Sequence, residues 1–164
     1  MEHYNATSHP IEGSQHLGKL FEEQVLLRGD SIALSYGGRS LSYREVESET
    51  NRFGHYLRER YGLLPGALVG VKLERSEWMV LVLLSIVRQG CAYVPIDVRY
   101  PQERVNYMVS DSGMSCLIGL PELDEYRSVR ERYSSAGNQV ELSSNDLAYV
   151  IYTCLLYTSP SPRD

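Results

Sequence analysis

The residue types that most often carry chemistry are sparse and scattered in this chain. Cys91, Cys116 and Cys154 are odd in number and irregular in spacing, so they form no disulfide framework. Cys91 and Cys116 fall within apolar strand-like runs and are expected as small buried thiols. His3, His9, His16 and His55 share no metal-ligand spacing with one another or with cysteine, and are expected as surface histidines. The stretch Asn5-Ala6-Thr7 matches a glycosylation acceptor in spelling alone. Thr153 ends the apolar run "LAYVIYT", where a strand-like segment should pass into a turn or a glycine-rich loop. The chain continues instead with Cys154-Leu155-Leu156 and a proline-broken tail.

The chain that must position these groups has 164 residues, 43% hydrophobic and 23% charged, which is the composition of about one globular domain. Its net charge of -5 and scattered Lys and Arg give no basic footprint for nucleic acid. The longest apolar run, "WMVLVLLSIV" at 78–87, falls short of the roughly 20 residues a membrane span needs, and reads as a buried helix. The first residues lack the basic start and apolar stretch of a signal peptide, so the expected compartment is cytoplasmic.

Local signals then divide the chain. Residues 1–16 read as a linker or lead-in. Ser14 can cap a helix whose apolar face is Leu17, Leu20, Phe21 and Val25, ending near Gly29-Asp30. "SIALSYGGRSLSY" predicts a hairpin turning at Gly37-Gly38, because a two-residue turn needs positive φ, which glycine adopts at little cost. Ser42 and Glu45 form a capping-box pattern for the next helix, with Val46, Phe53 and Leu57 on one side and Gly62 as its stop. "ALVGVKL", "CAYVPI", "MSCLIGL" and "LAYVIYT" read as strands. Between them lie helices capped by Ser76 and stopped by Gly90, started at Pro101 and stopped by Gly113, and spanning "PELDEYRSVRERY". This alternation predicts an α/β fold, with crossover units on a mostly parallel sheet and one early β-hairpin.

Three of these segments carry a resemblance. "LSYREV" (41–46), "VRQGCAYVPIDVRYPQERVNYMVSDSG" (87–113) and "DLAYVIYT" (146–153) resemble, in order and spacing, the first three core motifs of adenylate-forming (AMP-binding) ligases. They look most like the amino-acid-activating adenylation domains of nonribosomal peptide synthetases. The likeness runs over 17–153 and implies the first part of such a domain's large N-terminal portion. On physics alone each motif is structural: a capped helix start, a buried strand ending in a turn, and an amphipathic helix. "YNATSHP" is similar to the linker before such domains, where a condensation domain often precedes.

The resemblance implies ATP and Mg²⁺ as reaction partners, an amino-acid substrate, and a downstream carrier domain bearing phosphopantetheine. It also implies that Thr153 is the first residue of a phosphate-binding loop of the form SGSTGKPKG, whose glycines admit backbone N–H groups close to phosphate oxygens. Here Cys154 stands where serine is expected, and no glycine or lysine comes after it. Residues 154–164, "CLLYTSPSPRD", read as an in-frame translation of a sequencing-library adapter. The chain is therefore expected to be a truncated domain, to be inactive alone, and to aggregate or form a molten state. A standalone acyl-CoA synthetase or carrier-protein ligase shares the fold and stays open as a parent. A short non-catalytic binding or docking module is the reading that requires a genuine tail.

Overall fold

The computed structural model describes residues 16–137 and 140–153. The expected lead-in, including Ser14, His3 and His9, and the expected adapter tail with Cys154 lie outside the described residues.

Helix α1 (Leu17–Arg28) is capped by His16, whose Nδ1 accepts the Gly18 N–H at 3.0 Å. The cap is thus a histidine and not the expected Ser14. The same role corrects the expectation of a surface His16: it is only 6% exposed, because the imidazole lies between the helix start and Asp146. Val25 is buried and Phe21 half-buried, but Leu17 and Leu20 are exposed, so only part of the expected apolar face is covered. His55 is half-buried and its Nε2 lies 3.0 Å from the Ala136 carbonyl.

Strands β1 (Ile32–Tyr36) and β2 (Arg39–Ser42) pair antiparallel through Tyr36 and Arg39, with Gly37 and Gly38 both at positive φ as the tight turn requires. Helix α2 (Tyr43–Tyr61) opens on the full capping box: Ser42 Oγ accepts the Glu45 N–H while the Glu45 carboxylate accepts the Ser42 N–H. It closes on Gly62 in the left-handed conformation. Val46, Phe53 and Leu57 are all buried.

Three parallel strands come next in the order β4-β3-β5: β3 (Leu68–Val71), β4 (Ala92–Pro95) and β5 (Cys116–Ile118). Between them run α3 (Glu77–Arg88), capped by Ser76, and α4 (Gln102–Ser112); α5 (Leu120–Val129) and a 3-10 turn (Arg130–Arg132) come after. Pro101 stands at the cap of α4 rather than inside it, since its ψ of 147° is still extended. The buried apolar side chains fall into two clusters. Val69 and Val71 face Phe53, Leu57, Val82, Ile86 and Tyr126, while Val94, Ile96, Val105, Met108 and Met114 form the second cluster beneath α4.

The segment expected as a last strand is only a beginning of one. Tyr149 bridges Tyr93 in parallel, held by the Tyr93 N–H on the Ala148 carbonyl and the Val150 N–H on the Tyr93 carbonyl, and among the described residues the ladder goes no further. Val150 and Tyr152 pack on the second cluster, whereas Leu147, Tyr149 and Ile151 point away and are exposed. A strand of a parallel sheet is ordinarily covered on both faces.

Candidate functional site

Because the 147–153 segment joins β4 in parallel, it delivers Thr153 to the same end of the sheet as the carboxyl ends of β3, β4 and β5. Open α/β sheets bind ligands outside those ends. Thr153 is exposed and lines a cleft of about 770 Å³ with Arg104, Tyr107, Met108 and Tyr152. A larger cleft of about 1000 Å³ shares Ile151 and Tyr152 with it and runs over Tyr93, Asp97 and Arg99. The larger cleft does not include Thr153.

The turn after β4 is built from its own sequence. Asp97 accepts the Arg99 backbone N–H at 2.9 Å and two guanidinium N–H groups at 3.0 and 2.7 Å, which fixes "PIDVRYP" as a closed loop. Those hydrogen bonds from Arg99 hold the Asp97 carboxyl well below the usual carboxylate range. Pro101 then starts α4, and the Arg104 guanidinium lies 4.2 Å over the Tyr100 ring.

At the far end of α4, Asp111 accepts hydrogen bonds from Tyr152 at 2.6 Å and from Tyr107 at 3.4 Å. The bond to Asp111 raises the Tyr152 phenol to about 12. The sequence offers one hint of this arrangement, an acid in a final helical turn that has no base beside it. Its partner, 41 residues away, carries no local signal.

Neither of the two described thiols is activated. Burial pushes Cys91 up and Cys116 up to about 12, the opposite of an activated nucleophile. Cys91 is buried as expected, while Cys116 is only half-buried. Among the described residues no three His, Cys, Asp or Glu side chains group to hold a metal ion. The cleft at Thr153 offers a phosphate the Thr153 hydroxyl and the Arg104 guanidinium, since the Tyr107 and Tyr152 hydroxyls that also line it donate to Asp111, and these are too few donors to enclose it. These residues alone therefore fit neither a magnesium ion nor a triphosphate.

The fold defines the class: an α/β chain with a three-stranded parallel sheet and an antiparallel hairpin. The chain belongs to the AMP-binding enzyme family, whose pattern matches residues 21–154. It is 35% identical to a linear gramicidin synthase of Brevibacillus parabrevis over 92% of this chain and 3% of that protein. It is 36% identical to gramicidin S synthase 2 of Brevibacillus brevis over 93% of this chain and 4% of that protein. Among solved structures, the nonribosomal peptide synthetase FmoA3 bound to alpha-methyl-L-serine-AMP superposes with a TM-score of 0.80 at 30% identity, covering 93% of this chain and 18% of that one. An artificially fused adenylation-PCP di-domain, NpsA-ThdA from Klebsiella oxytoca, shares the fold at 22% identity and a TM-score of 0.75, over 85% of this chain and 28% of that one. The chain thus spans 3% to 4% of the length of these curated relatives.

Proposed function

We propose that this chain is the opening part of an adenylation domain that activates an amino acid for a nonribosomal peptide synthetase. The observation that carries the reading is the segment ending at Thr153, which starts beside β4 at Tyr149 and runs toward the carboxyl edge of a parallel sheet, in a chain whose matched relatives are peptide synthetases. In the reaction, a substrate carboxylate oxygen attacks the α-phosphate of ATP. The bond to the β-phosphate bridging oxygen breaks, giving an acyl adenylate and pyrophosphate. A phosphopantetheine thiol of a carrier domain then attacks the acyl carbon and releases AMP. Magnesium supplies neutralisation of phosphate charge when bound.

The part played by this chain is placement. The capped α2 and α3 support β3 and β4, and β4 receives the segment that ends at Thr153, whose hydroxyl would donate to a phosphate oxygen. Residues 17–153 then supply scaffold and one phosphate contact, and residues 154–164 are read as adapter sequence that takes no part. An upstream condensation domain, a carrier domain as partner and a cytoplasmic location belong to the same reading. No helix among the described residues is long and apolar enough to cross a membrane.

Amino-acid-dependent ATP–pyrophosphate exchange tests both halves. The complete domain, recovered with its downstream sequence, is expected to exchange label with at least one amino acid. The purified 164-residue chain is expected to remain at the blank. Exchange by the short chain, or none by the complete domain with any amino or aryl acid, contradicts the reading.

A further inference from the structure

Asp111 occupies the last turn of α4, where the negative end of the helix dipole disfavours a carboxylate. What the carboxylate gains there is two phenol donors, Tyr152 at 2.6 Å and Tyr107, one turn earlier, at 3.4 Å. A phenol-to-carboxylate bond of the shorter length is charge-assisted and about twice as strong as a neutral one. The Tyr152 side chain also packs on the cluster of Val94, Ile96 and Met108, so ring and hydroxyl are both held.

The backbone around Tyr152 has much less support. The last backbone hydrogen bond before Thr153, among the described residues, is the one from Val150 to Tyr93. Past that point the chain is tied by the Tyr152 side chain, whose hydroxyl donates to Asp111 and also meets the Ser112 side chain.

We propose that Asp111 is a positioning residue for ATP use: through Tyr152 it fixes the direction in which the 147–153 segment delivers Thr153 to the phosphates. This rests on the adenylation reading above. Asp111 touches no reacting atom. It replaces backbone pairing at the one place where the sheet ladder stops short of the site.

The test uses the complete domain, with Asp111→Ala, Tyr152→Phe, the double variant and Asp111→Asn, in ATP–pyrophosphate exchange. Asp111→Ala and Tyr152→Phe are each expected to lower kcat/KM for ATP about tenfold, the scale of a lost hydrogen bond to a charged group, with KM for the carboxylic acid unchanged. The double variant should be no worse than Asp111→Ala, since the Tyr152 contact is the one the two substitutions share and Asp111→Ala already removes it along with the Tyr107 contact. Asp111→Asn keeps an acceptor oxygen and should recover most of the loss. Additive losses, equal effects on both substrates, or no effect would overturn the proposal. If the wild-type domain shows no exchange at all, the adenylation reading fails, and the ATP role fails with it. Amide hydrogen exchange across 147–153 then decides the tether by itself: faster exchange in Asp111→Ala and Tyr152→Phe upholds it, and unchanged exchange refutes it.

Discussion

The uncovered face of the 147–153 segment should govern how the 164-residue chain behaves in solution. Leu147 is 64% exposed and Ile151 59%, on a strand beginning whose other face is packed. Full burial of such a side chain contributes about 1.5–3 kcal/mol, so about 1–2 kcal/mol per residue goes unrealised, about 2–4 kcal/mol for the pair. That is a large share of the roughly 5–15 kcal/mol net stability of a whole domain. The chain is therefore expected to self-associate and to bind a dye such as ANS. The perturbation is Leu147→Thr with Ile151→Thr, which puts a β-branched strand former at both positions while removing most of the apolar surface. Sedimentation velocity and ANS fluorescence should show the double variant monomeric at concentrations where the parent associates, with weaker dye binding. A parent chain that is monomeric, dye-negative and cooperative in urea would refute the reasoning, as would equal association of the two proteins.

Two further outcomes arise from buried polar contacts, each measured in the complete domain. Tyr126 is fully buried and donates to Glu49 at 2.6 Å, and Glu49 also accepts from Arg130 at 2.8 Å. Tyr126→Phe should cost about 1.5–3 kcal/mol in urea unfolding, with non-additivity against Glu49→Gln; a loss under about 0.5 kcal/mol would count against the pairing. His16 is held below its ordinary pKa by burial, opposed by Asp146 and Glu22 and reinforced by Lys19. The unfolded chain then binds the proton more tightly, so the contribution of this cap is complete above about pH 6.5 and declines as pH falls toward the folded value. The protection of the Gly18 amide, relative to its intrinsic exchange rate at each pH, should fall over that window and lose the dependence in His16→Asn, which keeps a cap acceptor; protection in the parent that does not change with pH would contradict the assignment.

The features legible in the sequence were those that nearby residues decide. The Gly37-Gly38 turn, the Ser42 and Glu45 box, the Ser76 cap and the Gly62 stop each need only a few adjacent side chains, and all took the expected form. The His16 cap was missed because histidine is not among the residues that favour that position, and its burial depends on a segment near Asp146, far along the chain. The 147–153 segment had the composition of a strand, but a strand's length is set by its neighbours, and among the described residues only Tyr93 pairs with it. Thr153 was placed by motif resemblance. Asp111 and Tyr152, like Glu49 and Tyr126, meet across separations that no local pattern encodes.

The coding DNA beyond the Thr153 codon bears most directly on whether this chain opens an adenylation domain. The measurement is to sequence the source DNA from the region encoding "PIDVRYPQERV" onward, using library chemistry free of the suspected adapter. The frame is predicted to run from Thr153 into a loop rich in Ser, Thr and Gly and carrying a lysine. A genuine "CLLYTSPSPRD" ending in a stop codon would contradict that, and would leave a natural protein whose sheet edge must serve some purpose other than holding ATP.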